Sequence, residues 1–155
     1  MTAVRTAHER DLPAVGELHV AAIETFGPEA YDDEAVEAWA ATDDQPAERH
    51  DLSAGHWVVA ERGGDVAGFG HLDPDGREVV AVYVHPDHAR AGVGTAVLAA
   101  LEGYARGVGI DELTLTASRN AVGFYERAGY ERRGSVVHET SAGIELDCEE
   151  MGKDL

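Results

Sequence analysis

Apolar residues change their spacing several times along this chain, and each change marks an element. Leu12, Val15, Leu18, Ala22, Ile23 and Phe26 recur at helical spacing behind Asp11 and Pro13. That pattern predicts a helix capped by Asp11 and ended by Gly27-Pro28. Asp32-Asp33 opens a second helix carrying Ala35, Val36, Ala38, Trp39 and Ala40, and Pro46 to Leu52 reads as a third short turn. The spacing then shortens to that of strands. Val4 to Ala7 is a first strand, and His56 to Glu61 and Val66 to Leu72 form a hairpin about Gly63-Gly64. After the Asp73-Pro74-Asp75-Gly76 turn, Glu78 to His85 is a further strand. Helical spacing returns at Val93, Val97, Leu98, Leu101, Tyr104 and Ala105. Leu113 to Thr116 alternates as a strand, Asn120 to Ala128 is a short helix with Gly129 at its C-cap, and Tyr130 to His138 and Ile144 to Met151 close the chain as strands. The order predicts one α+β domain over residues 1–155, a mixed, mostly antiparallel sheet of six to seven strands flanked by helices.

One junction carries chemistry. The strand ending Val82-Tyr83-Val84-His85 stops at Pro86, and the loop Asp87-His88-Ala89-Arg90-Ala91-Gly92-Val93-Gly94-Thr95 leads into a helix. A strand, a glycine loop and a helix start aim several unpaired backbone N–H groups at one point, and the helix dipole adds positive potential there. Such a site suits a phosphate or pyrophosphate. It is not a P-loop, because Thr95 follows Gly94 with no lysine between them. It is not a dinucleotide fingerprint either, because Val97 stands where a third glycine is needed.

Charge narrows the partners. Thirty acidic residues face twelve lysines and arginines, a formal charge of −18, and Lys153 is the lone lysine. Acidity spread this evenly repels nucleic acid and anionic membranes, and it resembles the surfaces of proteins from salt-accumulating halophiles. With one cysteine, Cys148, no internal disulfide can form. Met1 to Arg10 holds no apolar core of a signal peptide, and no apolar run nears the roughly 20 residues that span a membrane. A cytoplasmic, soluble protein is expected. The eight histidines are scattered, and His85-x-x-His88 spans a proline loop, so no metal site is expected.

The loop Ala89-Arg90-Ala91-Gly92-Val93-Gly94 resembles the pyrophosphate loop of the Gcn5-related N-acetyltransferases, Gln/Arg-x-x-Gly-x-Gly/Ala, with Ala89 in the first position and the basic residue moved to Arg90. Asn120-Ala121-Val122-Gly123-Phe124-Tyr125, running on to Gly129-Tyr130, resembles that family's later Asn-x-x-x-x-Phe/Tyr-Tyr segment with one spacer residue fewer. The resemblance implies acetyl-CoA as co-substrate and a sheet splayed between its fourth and fifth strands. It places Val82, Tyr83 and Val84 along the pantetheine arm, with the Val82 N–H polarising the thioester carbonyl. It places Ala89, Arg90, Ala91, Gly92, Val93, Gly94 and Thr95 around the pyrophosphate, and Asn120 and Tyr125 against the coenzyme.

By the same resemblance Tyr125 is the general acid for the departing thiolate. Glu78, eleven residues before Ala89, is the candidate base, with an ordered water as the alternative. Phe26, Tyr31, Trp39, His71, Tyr83 and His138 are expected to line the acceptor pocket. Cys148 is a poor nucleophile beside Glu149 and Glu150. The implied activity is direct acetyl transfer to a primary amine of a small molecule. Acetylation of protein N-termini or lysines, and a non-catalytic coenzyme-binding module, remain as alternatives, and a homodimer is left open.

Overall fold

The computed structural model describes residues 2–43, 52–139 and 143–155. Seven strands form one sheet: β1 (Thr2–Thr6), β2 (His56–Arg62), β3 (Asp65–Asp73), β4 (Glu78–Val84), β5 (Glu112–Ser118), β6 (Glu131–Glu139) and β7 (Glu145–Asp154). Four helices accompany them: α1 (Leu12–Phe26), α2 (Asp33–Asp43), α3 (Val93–Gly107) and α4 (Val122–Arg127). The strand order is β1-β2-β3-β4-β5-β7-β6, and β4–β5 is the parallel pair. The fold is therefore the expected α+β arrangement with seven strands. Of the expected turn from Pro46 to Leu52, all but Leu52 lies outside the described residues.

Two-residue alternation sends neighbouring side chains of the central strands to opposite faces. Val58, Ala60, Ala67 and Leu72 pack with Val97, Leu98 and Leu101 of α3. Trp57, Val59 and Phe69 turn the other way, onto Val15 and Leu18 of α1. A third cluster joins Ile23 of α1 and Val36 and Trp39 of α2 to Leu146 and Cys148 of β7. Leu101, Val97 and Val59 are fully buried, and each such side chain contributes about 1.5–3 kcal/mol by leaving water. β2 and β3 thus carry helices on both faces.

Three local expectations are corrected. Asp11 does not cap α1; its backbone is already helical and its side chain makes no cap hydrogen bond to that helix. Instead the carboxylate accepts two bonds of 2.8 Å from the Arg5 guanidinium on β1 and one from the His8 N–H. The Arg5 contact holds the Asp11 carboxyl down at about 2, despite burial. Tyr104, predicted to lie on the buried stripe of α3, is partly exposed and stacks on His56 with ring centroids 3.8 Å apart. The predicted helix from Asn120 is shorter than expected, a 3-10 turn (Arg119–Ala121) followed by α4, and Gly129 follows it at φ +97°. Among the described residues no helix is long and apolar enough to cross a membrane.

Candidate active site

β4 and β5 touch only at one end. Glu78 pairs with Thr114, and the Thr114 N–H donates to the Arg77 carbonyl at 3.0 Å. Beyond that point the strands share no further pairing among the described residues, so β4 has an open edge. The His85 N–H donates to Ala67 of β3 at 2.8 Å. Alternation then turns the backbone groups of Tyr83 towards β3 and those of Val82 and Val84 into the gap. The β3–β4 register slips between His71 and Leu72, which leaves Val80 outside the pairing and 47 % exposed in the cleft wall.

The open edge runs into the glycine loop. Arg90 and Gly92 both adopt left-handed backbone, at φ +61° and +79°. The first bond of α3 runs from the Ala96 N–H to the Gly92 carbonyl, so the N–H groups of Val93, Gly94 and Thr95 lack helical partners. Close packing sets the second glycine: a Cβ on Gly94 would stand 3.1 Å from the Phe124 ring and 3.4 Å from Val84. The missing side chain at that position lets α4 seat closely against the start of α3. Asn120, just before α4, has a buried Oδ1 with no hydrogen-bond partner among the described residues. A free strand edge, a ring of free N–H groups and an unsatisfied amide oxygen can hold an extended amide-bearing arm ending in a pyrophosphate. Coenzyme A has that form.

A cavity of about 760 Å³ fills the cleft. Of the residues expected at the site, Glu78, Val82, Tyr83, Val84, Ala89, Arg90, Gly92, Val93, Gly94, Thr95, Asn120 and Tyr125 line it, joined by Phe26, Trp39 and His138 on the acceptor side. Ala91 is exposed and outside the lining. Tyr125 is buried, which holds its phenol protonated far above the ordinary range, and its hydroxyl bonds to no described residue. Glu78 is half-buried; desolvation first, and the neighbouring Asp73 second, raise its carboxyl above the usual value.

Two expected acceptor residues do not reach the cavity. The Tyr31 hydroxyl donates to the Asp147 carbonyl at 2.6 Å and accepts from the Arg119 N–H at 2.9 Å, so it braces the wall from behind. His71 stacks on Trp57 at 3.8 Å and its Nε2 donates to the Ala54 carbonyl at 2.7 Å, at the other end of the sheet from the loop. Cys148 does line the cavity, and its thiol is pushed up by burial before any acidic neighbour, with Asp147 rather than Glu149 or Glu150 adding to it. Sequence reasoning missed Glu29, His88, Phe124 and Arg127, which also line the cavity. Phe124 sat inside the quoted motif, and that membership was the available signal; Glu29 gave none.

The chain matches the acetyltransferase (GNAT) domain family over residues 28–146. Its structure is similar to a GCN5-related N-acetyltransferase from Rhodopseudomonas palustris, at 32% identity and TM-score 0.93, covering 100% of this chain and 96% of that one. A ribosomal-protein-alanine N-acetyltransferase from Brucella melitensis is 26% identical with TM-score 0.70, and covers 99% of both chains. The PaiA N-acetyltransferase from Thermoplasma acidophilum, in complex with coenzyme A, shares the fold at 20% identity and TM-score 0.74, covering 100% of this chain and 99% of that one. Splayed strands, glycine cradle and family match agree: the chain belongs to the GNAT acetyltransferase family and is an N-acetyltransferase.

Proposed function

We propose that this enzyme transfers the acetyl group of acetyl-CoA directly to the primary amine of a small cationic molecule that carries no carboxylate. The supporting observation is the partition of charge around the cavity. Arg90 and Arg127 line it from the loop and α4, beside the free N–H groups. The wall built by α1, the turn after it, α2 and the start of β4 offers Phe26 and Trp39 with two carboxylates, Glu29 and Glu78, and no arginine or lysine among the described residues. An apolar pocket edged by carboxylates favours an ammonium group over the α-carboxylate of an amino acid.

The bound coenzyme supplies an activated acetyl thioester, and the chain supplies the rest. The open edge at Val82 and Val84 receives the pantetheine amides as an added strand. The Val82 N–H donates to the thioester carbonyl oxygen, where negative charge develops as the amine attacks. Glu78, with its raised carboxyl, takes through water the proton of the bound ammonium and passes it to solvent, then accepts the proton that the neutral amine loses as the N–C bond forms. Tyr125 gives its proton to the sulfur as the C–S bond breaks. Burial that weakens the phenol as an acid also strengthens the thiolate as a base in the same dry cavity, so the transfer stays matched.

A thiol-release assay over a panel of diamines, arylalkylamines, amino acids and peptides tests this reading. Cationic amines without a carboxylate should be turned over best. A preference for peptides with a free N-terminus would replace this substrate class with a protein one, as in the enzyme from Brucella melitensis. Tyr125→Phe should lower kcat about 10²-fold or more while coenzyme affinity stays within about twofold. Unchanged kcat would remove the acid role.

A further inference from the structure

One pair of side chains at the coenzyme end stands outside the roles given so far. Arg62 ends β2, and His88 ends the 3-10 turn between β4 and α3. An Arg62 Nη1 lies 3.4 Å from His88 Nδ1. A guanidinium has donors only, so Nδ1 is the acceptor of this contact and the neutral ring carries its proton on Nε2. The ring is half-buried and lines the cavity next to the glycine cradle. His85 is engaged elsewhere: its Nδ1 accepts the Asp87 N–H at 3.1 Å, the Asp87 carboxylate lies 3.7 Å from it, and its ring centre is 6.2 Å from that of His88. Arg90 adds a further positive charge to the same wall.

We propose that Arg62 and His88 recognise the 3′-phosphate of coenzyme A, with His88 as the contact residue and Arg62 as the cation that also fixes its ring. The proposal rests on the coenzyme reading above. The consecutive free N–H groups of the loop suit two bridged phosphates, which uses the pyrophosphate. The remaining phosphate of coenzyme A is a monoester, close to doubly charged at neutral pH, and it calls for a cation and a directed N–H donor rather than backbone alone. An arginine whose contact sets the tautomer of a cavity-lining histidine provides both.

Isothermal titration of the full chain with coenzyme A and with 3′-dephospho-coenzyme A reads this without turnover. The wild type should bind coenzyme A about tenfold more tightly than the dephospho form, a difference of about 1.4 kcal/mol. Arg62→Met and His88→Leu should each bring that ratio below about threefold while leaving affinity for the dephospho form within about twofold. His88→Gln, whose amide N–H can stand where Nε2–H stood, should keep most of the ratio. Equal binding of the two ligands by the wild type overturns the assignment and leaves the coenzyme reading intact, and that measurement needs no variant to fold. Variants that weaken both ligands alike would move the pair to the pyrophosphate and overturn it too. Binding of neither ligand by the wild type would remove both readings.

Discussion

The two walls of the cleft are braced by different physics. Behind the coenzyme wall, Lys153 Nζ sits 3.1–3.2 Å from both oxygens of Glu102 and 2.8 Å from the Ala128 carbonyl, while the Tyr130 hydroxyl donates to the same carboxylate at 2.8 Å. Glu102 is buried, so this is an ion pair locking α3 and β7 to the end of α4. Tyr130 meets Tyr125 edge to face at 5.7 Å, and its N–H donates to the Tyr125 carbonyl at 3.0 Å, which carries the brace to the proposed acid. Behind the acceptor wall the brace is mostly neutral: Tyr31 bridges the backbone of Asp147 and Arg119, and the Arg119 guanidinium lies 5.0 Å over the Tyr31 ring and donates to the Ala30 carbonyl. A charged brace is strong when whole and costly when halved; a neutral one degrades gently. The wall that handles an invariant coenzyme has the first kind, and the wall that selects an acceptor has the second.

The largest break of this contrast is Lys153→Met. It leaves the Glu102 charge buried without its counter-ion and should cost about 3–5 kcal/mol in urea unfolding. Adding Glu102→Gln should restore part of that loss, since the stranded charge is gone and an amide can still accept from Tyr130. A single variant of near wild-type stability would mean that water reaches the pair and that the brace is not buried chemistry. Next in size is Gly94→Val. Its new Cβ meets Phe124 and Val84, and overpacking of about 1–3 kcal/mol should weaken coenzyme binding about 10- to 100-fold. Coenzyme titration checks it; normal affinity would show that α4 yields and that the coenzyme wall is less rigid than its brace implies.

Tyr31→Phe is the counterpart on the acceptor wall. Burial pushes the phenol up to about 12, so the hydroxyl lost is a neutral donor and acceptor. The Asp147 carbonyl and the Arg119 N–H then lose a partner each, which should lower stability by about 1–2 kcal/mol. The acceptor KM should rise while the coenzyme Kd stays fixed. A drop as large as that of Lys153→Met would erase the contrast between the braces.

What could be read in the chain follows the same division. The coenzyme wall is drawn from short contiguous runs, Val82 to Thr95 and Asn120 to Tyr125, and backbone N–H groups at a helix start point where local sequence sends them. The central strands and α3 were legible for a related reason, because buried faces impose a period. The acceptor wall is assembled from α1, α2, β4, β6 and β7, and side-chain type alone does not say which aromatic turns inward. Phe26 and Trp39 do line the cavity, whereas His71 is carried to the far end of β3, where Trp57 and Ala54 hold it. Tyr31 is drawn behind the wall by two backbone groups more than eighty residues away. Asp11 shows a local rule overridden: a cap residue in sequence, it is taken by Arg5 of β1 instead.

The finest test lies where the walls meet, at the start of β4. Glu78 is raised by desolvation and then by the charge of Asp73 across the β3–β4 pair. A base works only when ionised, so the acidic limb of kcat/KM should fall at the raised value of Glu78, above the ordinary carboxylate range. Asp73→Asn removes the nearby negative charge, makes Glu78 easier to ionise and should move that limb to lower pH by a fraction of a unit. The asparagine keeps an oxygen for the Asp75 N–H that Asp73 now accepts at 3.1 Å, so the turn should survive. Burial, the larger cause, stays in place, and the limb should therefore remain above that of a free carboxylate. A pH profile of the wild type beside Asp73→Asn and Glu78→Gln decides it: the last should lose the limb altogether, and a limb unmoved in both variants would assign the base to water alone.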